Sequence, residues 1–186
     1  MKKVTVFGGT NAKNYTKDIQ NKCSVLGKYI ASQNAEILTG ACLGFPYFVA
    51  KAAIAQGGQV TGYSPAKNLK EHIELYKFPT DGTTNLVFED HTEAPFLKRS
   101  LDMMPFSDVV IAMGGSWGTY VELVFSLFYK KDIILITEFG GAVEQFIDSY
   151  NFFGSRDYNP VVHEGAKLHI VETVEQAINK LGELLK

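Results

Sequence analysis

The residues best suited to chemistry lie in a glycine-rich loop that follows a predicted β-strand. The loop reads Gly114-Gly115-Ser116-Trp117-Gly118-Thr119, and a predicted helix begins at its end. Glycines let backbone N–H groups approach an anion closely, and a helix N-terminus adds the positive end of its dipole. The loop therefore predicts a phosphate-binding site.

Small residues also follow other predicted strands. These further candidate ligand-binding residues are Gly8, Gly9 and Thr10 after the first strand, Gly40, Ala41 and Gly44 after the second, and Ser64 after the third. Ligands of open α/β sheets bind outside the carboxyl ends of the strands, so these loops are expected to converge. Glycine in a tight turn is the simpler interpretation of Gly8 and Gly9 taken alone.

Two charged residues are candidates for catalysis. Glu122 follows the glycine loop and would lie beside a bound phosphate, as a general base or as a partner for positive charge on a sugar. The spacing Thr119-x-x-Glu122 also fits a capping box, in which both side chains only hold the helix start. Arg99 lies in the preceding predicted helix, where its position alone favours a solvated helix charge.

The chain lacks the motifs of several common nucleotide, metal and nucleophile sites. The chain has no Gly-x-x-x-x-Gly-Lys-Ser/Thr, its first strand lacks Gly-x-Gly-x-x-Gly, and its second strand ends without an acidic residue, which disfavours P-loop and NAD-binding proteins. The histidines are too dispersed for metal ligation. No local signature ties a base to Cys42, so a small buried loop residue is favoured over a nucleophile. Trp117 and Tyr120 are interpreted either as stacking on a base or as packing under the loop.

The elements that position these residues alternate between short β-rich runs and longer helical patterns. Runs such as Val109–Ala112 and Ile133–Ile136 are continuously apolar, which is typical of parallel strands covered on both faces. We predict an α/β fold with a Rossmann-like doubly wound parallel sheet of about six or seven strands, helices on both faces, and a single domain over residues 1–186. Helices are predicted over Ala94–Phe106 and Thr119–Tyr129, and residues Ser64–Thr84 are predicted to be irregular.

The charge and the cysteine content of the chain indicate its compartment and its classes of partner. The net charge is −2 and the basic residues are scattered, which argues against nucleic-acid binding. Two cysteines without a CxxC motif favour a reducing compartment. The N-terminus does not fit a signal peptide, and no apolar run approaches the ~18 residues of a membrane span. A cytoplasmic protein without a membrane partner is expected.

Several of these motifs together resemble one superfamily. Leu38–Tyr47 and Gly58–Ala66 are similar to segments of the Lonely-guy-like, or "lysine decarboxylase-like", Rossmann superfamily (SLOG), the latter to its branch near molybdenum-cofactor carrier proteins. Arg99 and Glu122 match the catalytic arginine and glutamate of its phosphoribohydrolases in type and separation. Ser100, Gly114 and Ser116 depart from the hydrolase pattern, which has lysine, proline and glycine there.

The resemblance implies a nucleotide-binding protein, with two functions open. One is a phosphoribohydrolase that cleaves the N-glycosidic bond of a nucleoside 5′-monophosphate, with Arg99 and Glu122 as the catalytic pair. The other is a non-catalytic carrier or sensor of a phosphorylated ligand such as molybdopterin. The resemblance also implies a homodimer and no required cofactor. No lysine is placed for a pyridoxal Schiff base, so true lysine decarboxylation is excluded.

Overall fold

A computed structural model describes residues 1–10, 15–90, 93–154 and 165–186. Seven strands form one parallel sheet in the order β4-β3-β2-β1-β5-β6-β7. The strands are β1 (Lys3–Gly8), β2 (Glu36–Thr39), β3 (Val60–Ser64), β4 (Asn85–Phe88), β5 (Val109–Met113), β6 (Asp132–Ile136) and β7 (Lys167–Val171).

Helices follow the strands and cover both faces of the sheet. They are α1 (Lys17–Ser32), α2 (Phe45–Ala55), α3 (Leu69–Glu74), α4 (Pro95–Met103), α5 (Trp117–Phe128), α6 (Ala142–Gly154) and α7 (Val174–Leu184). The predicted Rossmann-like fold class is confirmed, and the described residues form seven strands.

The apolar strands form two hydrophobic cores because successive side chains point to opposite faces. On one face Ile111 and Ile134 pack with α1, α2 and α7, which supply Leu26, Val49 and Leu181. On the other face Val110 and Ile133 pack with α4, α5 and α6, which supply Met103, Leu123 and Phe146. Burial on both faces explains why β5 and β6 are apolar without alternation.

The strand order places a crevice between β1 and β5. These two strands are paired over Val4↔Val109 to Gly8↔Met113, and the chain leaves them towards opposite halves of the sheet. Such a reversal of strand order opens a gap between the loops that follow the two strands. The loops after β1 and β5 therefore flank the gap.

Three local predictions differ from the structure. The predicted helix Ala94–Phe106 ends at Met103 and continues as a 3₁₀ turn, because Pro105 cannot extend an α-helix. Helix α3 lies in the region predicted to be irregular, where the Asn68 side chain accepts from the Glu71 N–H at 3.0 Å. Helix α5 begins at Trp117, two residues earlier than predicted.

Within the part of the chain that the structure describes, none of the helices has the length and apolar character needed to cross a membrane.

Candidate functional site

A cavity of about 390 Å³ lies at the gap between β1 and β5. Loops after β1, β2 and β5 meet there, as the sequence predicts, and residues from α4, α5 and the segment before β4 complete its wall. The lining residues are Val6, Phe7, Gly8, Thr10, Gly40, Cys42, Leu43, Pro46, Phe78, Phe96, Arg99, Ser116, Gly118, Thr119 and Glu122.

The loop after β5 starts with two glycines that the backbone requires. Gly114 and Gly115 have φ values of +62° and +95°, which side chains disfavour. A Cβ atom on Gly115 would also overlap Thr119 Oγ1. These glycines turn the chain sharply from the end of β5 into α5, so their first role is structural.

Gly118 differs, because none of the described residues requires a glycine there. A Cβ atom added to Gly118 would meet none of their atoms within 4 Å. The residue is exposed in the first turn of α5 and lines the cavity. The absence of a side chain therefore keeps the mouth of the cavity open beside the helix N-terminus.

The first turn of α5 leaves backbone donors for a ligand. The first N–H groups of an α-helix have no intrahelical partner, and the N-cap residue Ser116 makes no side-chain capping bond. These N–H groups and the positive end of the helix dipole both stabilise an anion bound at the helix N-terminus. The geometry suits a phosphate at Ser116–Thr119.

The capping-box interpretation of Thr119 and Glu122 is wrong. The N-cap is Ser116, so Thr119 lies within the first turn and Glu122 in the second. Thr119 is buried. Glu122 instead accepts a hydrogen bond from Ser100 Oγ at 2.9 Å and lines the cavity. Ser100 thus lies across from Glu122, although it departs from the hydrolase pattern.

The environment of Glu122 favours its protonated form. Desolvation by the surrounding protein raises the pKa of Glu122 to about 7, while the charge of Arg99 and the Ser100 hydrogen bond act in the opposite direction. A carboxyl with such a pKa exchanges a proton near neutral pH, which is the property of an effective general acid or base.

Arg99 is buried on the cavity wall, so its interpretation as a solvated helix charge is wrong. The residue is only 7% exposed. Its Nη1 donates to Gly40 O, and its Nη2 lies 3.8 Å from Cys42 Sγ. Among the described residues its buried Nε has no hydrogen-bond partner. The guanidinium occupies space that a side chain on Gly40 would take, since a Cβ there would lie 2.8 Å from Cζ.

The loop after β2 is joined tightly to the loop after β1. Gly44 has a φ of +135°, and a Cβ there would lie 2.5 Å from Gly9 O. Gly9 O accepts from the Phe45 N–H at 2.9 Å. Ala41 is buried with a φ of +52°, and its N–H donates to Thr39 Oγ1 at 3.2 Å. Gly9, Ala41 and Gly44 thus shape the cavity without lining it.

Two aromatic residues form part of the wall that the sequence did not indicate. Phe78 and Phe96 line the cavity, and the Arg99 guanidinium lies 5.0 Å from the centre of the Phe96 ring. Tyr76 supports both, stacked on Phe78 at 5.5 Å and edge-on to Phe96 at 5.6 Å. Phe96 precedes Arg99 by three positions, so the two lie on one helix face, which is a weak indication in the sequence that Phe96 lies near the site. No sequence pattern indicates that Phe78 does.

Trp117 and Tyr120, the predicted aromatic candidates, lie elsewhere. They line a separate depression of about 540 Å³ between the starts of α5 and α6, which shares Ser116 with the cavity. Trp117 is 83% exposed, and its ring lies 6.4 Å from that of Tyr120. Gly115 also lines this depression, whereas Gly114 is buried beneath the loop.

Ser64 is the candidate residue that lies apart from both depressions. It is buried at the end of β3, where its Oγ accepts from the Ala66 N–H at 3.1 Å and lies 2.8 Å from His72 Nδ1. The other ring nitrogen of His72 lies 3.2 Å from Pro79 O. These contacts hold the chain between β3 and β4 in place.

The fold and the cavity define a Rossmann-like α/β protein with a ligand cleft at the reversal of its strand order. The model of the SLOG cluster4 family matches residues 1–178, and the chain belongs to that family. The resemblance predicted from the motifs is thereby confirmed. No curated protein matches the chain.

Solved structures share the fold. TM1055 is 24% identical, with a TM-score of 0.79, over 98% of this chain and 99% of that one. The Moco carrier protein of Chlamydomonas reinhardtii is also 24% identical, with a TM-score of 0.70, over 99% and 97% of the two chains. Identities this low establish a common fold.

A third structure corrects the partner prediction. DNA processing protein A of Helicobacter pylori is 15% identical, with a TM-score of 0.68 over 98% of this chain and 80% of that one, and is described as binding single-stranded DNA. The exclusion of nucleic acid is therefore wrong, because scattered basic residues do not rule out that partner class for this fold. Nothing in the described residues supports the homodimer included in the same prediction.

Proposed function

We propose that the chain binds a phosphorylated planar heterocycle of the size of a nucleoside monophosphate. The observation that carries the proposal is the first turn of α5, where uncapped N–H groups meet the open space at Gly118. A glycine that packing does not require, at a helix N-terminus on a cavity wall, fits the close approach of an anion.

The aromatic wall supports a planar ring in the same ligand. Phe78 and Phe96 offer ring faces, and the guanidinium beside Phe96 adds a cation for an electron-rich heterocycle. A volume of about 390 Å³ falls at the lower end of small-ligand pockets, which favours a mononucleotide or a phosphorylated pterin such as molybdopterin over a dinucleotide.

We place this binding protein in the cytoplasm, because its two cysteines form no CxxC motif and favour a reducing compartment.

The single tryptophan of the chain makes binding directly measurable. Trp117 is the only tryptophan and lies in the first turn of α5, so fluorescence excited at its absorption edge reports on this loop alone. Titration with adenosine or guanosine 5′-monophosphate should change the emission and raise the melting temperature. The unphosphorylated nucleoside is the matched control and should bind much more weakly.

A Gly118→Ala variant tests where the phosphate binds. The added methyl group meets no atom of the described residues but enters the approach to the N–H groups, so affinity should fall by about tenfold or more while the fold is kept. If no phosphorylated heterocycle binds the wild type, or if the Gly118→Ala variant binds equally well, the proposed site is wrong.

Hydrolysis of the N-glycosidic bond is the second candidate, favoured by Glu122. In the hydrolytic step water adds to the sugar C1′, the C1′–N bond breaks, and the base leaves with a proton. Glu122, whose pKa lies near 7, would accept a proton from the water or stabilise the developing positive charge. Arg99, which lines the same cavity, would place its positive charge beside the sugar or phosphate.

Base release separates an enzyme from a carrier. Glu122→Gln keeps an acceptor for Ser100 and removes proton transfer, so it should abolish hydrolysis while preserving binding measured by Trp117 emission. Equal rates for wild type and variant would reject the enzymatic function. Binding without turnover, together with a pterin retained during purification, would support the carrier function.

A further inference from the structure

The cavity that is proposed to hold a phosphate also holds a carboxyl group. Glu122 lines it together with Ser116 and Gly118, where the first turn of α5 offers its N–H groups. We propose that binding of the phosphorylated ligand is coupled to the uptake of a proton by Glu122, so that the cavity prefers a phosphate dianion while this carboxyl is neutral. This coupling rests on the proposed function and adds the control of that site by pH.

The hydrogen bonds around Glu122 suit a neutral carboxyl group. Among the described residues its single hydrogen-bond partner is Ser100, whose Oγ lies 2.9 Å from Oε1. The guanidinium of Arg99 is directed elsewhere, because Nη1 donates to Gly40 O and Nη2 lies 3.8 Å from Cys42 Sγ. A desolvated carboxylate without an ion pair needs several donors, whereas a carboxylic acid needs one acceptor for its proton.

Ser100 supplies that acceptor and links Glu122 to the backbone of α4. Its hydroxyl has one proton and two neighbouring oxygens, Glu122 Oε1 at 2.9 Å and Phe96 O at 3.1 Å. When Glu122 is neutral, it donates to Ser100 Oγ and Ser100 donates to Phe96 O, so both contacts are hydrogen bonds. When Glu122 is ionised, the hydroxyl proton serves only one of the two oxygens. Loss of the proton from Glu122 therefore costs a hydrogen bond as well as the desolvation of a charge.

The other charged and titratable groups near α5 give Glu122 no ion-pair partner among the described residues. The elements that pack against α5 are β1, β5, α4 and α6. The charge of Arg99 on α4 lowers the pKa of Glu122, in opposition to burial, and Cys42 is the thiol on the cavity wall. The remaining groups are paired with each other, line the separate depression or are exposed: Lys98 with Glu89 and Asp102, Lys3 with Glu36, Tyr120 and Glu144 in the depression, and Asp148.

A bound phosphate adds a second anion to the cavity. Repulsion between an ionised carboxylate and a phosphate dianion is strong where little water screens them. The ligand therefore raises the pKa of Glu122 above the value of about 7 to which burial has already raised it in the free protein. By linkage, a ligand that favours the protonated form binds more weakly as pH rises through that value. The ligand itself stays a dianion in this range, because the second pKa of a phosphate monoester is about 6.

The experiment measures the affinity of the wild type for adenosine 5′-monophosphate by calorimetry at pH 7, 8 and 9. The dissociation constant should rise by about fivefold from pH 7 to pH 8, and by up to about fiftyfold from pH 7 to pH 9, as a group with a pKa near 7 loses its proton. Titrations at pH 8 in buffers of different ionisation enthalpy should show up to about one proton taken up for each ligand bound. This second measurement needs no variant.

Two variants assign the proton to its group. Glu122→Gln cannot ionise, so its affinity should stay constant between pH 7 and pH 9. Cys42→Ser removes the thiol from the cavity wall and should keep the pH dependence of the wild type. Tyr15 does not titrate in this range, because burial raises the pKa of its phenol above the usual value of 10.

Three results would overturn the coupling while leaving ligand binding established: a constant wild-type affinity between pH 7 and pH 9, no proton uptake at pH 8, or an equal pH dependence in Glu122→Gln. A pH dependence that is lost in Cys42→Ser and kept in Glu122→Gln would assign the proton to the thiol and overturn it as well. Absence of binding at every pH would refute the proposed function, and the coupling with it.

Discussion

The loops after β5 and β3 begin at the same edge of one sheet but use their polar groups differently. After β3, Ser64 Oγ is shared between Ala66 and His72, and Asn68 caps α3. After β5, the Ser116 side chain makes no capping bond, and Gly118 has open space around it. The polar side chains of the first loop form hydrogen bonds within the protein. The second loop has backbone N–H groups at the start of α5 that are available to a ligand.

The difference explains why a polar or small residue at a strand end is insufficient to predict a binding residue. Ser64 and Ser116 occupy comparable places in the sequence pattern, at the end of a strand and before a helix. Only the surrounding chain decides whether their donors and acceptors already have partners. Unpaired hydrogen-bonding groups, rather than residue type, make the loop after β5 the candidate site.

The largest expected effect comes from Gly115→Ala, which breaks the turn that both the helix start and the site require. Position 115 has a φ of +95°, and the methyl group would overlap Thr119. We expect a loss of about 3–5 kcal/mol in the free energy of unfolding, measured by urea denaturation. A loss below about 1 kcal/mol would show that the loop adopts another conformation.

Glu122→Gln should change the pH dependence of stability. The pKa of Glu122 is about 7 in the folded protein and near 4.5 when exposed, so the folded state binds more protons between these values. Wild-type stability should therefore fall as pH rises through this window, by about 3 kcal/mol at most, and the variant should lack that fall. Parallel pH profiles of unfolding for the two proteins would contradict this.

Ser64→Ala should lower stability but spare binding. Removing Oγ leaves buried His72 Nδ1 and the Ala66 N–H without their partner, at a cost of about 1–3 kcal/mol. Ligand affinity should match the wild type, because Ser64 lies outside the cavity. A variant of full stability with reduced affinity would reverse the assignment of the two loops.

Gly118→Ala should have the smallest effect on stability, and it should stabilise the protein. Alanine is the better helix former, and its methyl group meets no atom in the part of the chain that the structure describes. The free energy of unfolding should therefore rise by up to about 0.5–1 kcal/mol. Chemical denaturation of this variant beside Gly115→Ala compares two glycines of one loop. Destabilisation by both would mean that Gly118 also has a structural role.

The sequence was sufficient for the fold because the apolar runs of β5 and β6 fit only strands buried on both faces. It could not place the start of α5. Thr119-x-x-Glu122 and Asn68-x-x-Glu71 both fit a capping box, yet only the second caps a helix, since the turn at Gly114 and Gly115 fixes where α5 begins.

Part of the candidate site depends on contacts that no local pattern encodes. Arg99 and Glu122 lie on different helices. Glu122 was selected because it follows the glycine loop, whereas Arg99 was selected only through its match to the arginine of the family pattern. Phe78 lies in a segment without periodicity, and it reaches the cavity because the chain between β3 and β4 is held by His72. Cys42 was interpreted as a buried loop residue, because nothing in the sequence indicates the guanidinium beside it.

The pairing of β1 with β5 also has a consequence for folding. Lys3 N donates to Asp108 Oδ2 at 2.8 Å across a sequence separation of 105 residues. Contacts of that separation are slow to form because a long loop must close first. The residues that line the cavity come from both sides of this pairing, so the cavity forms only once β1 and β5 have come together.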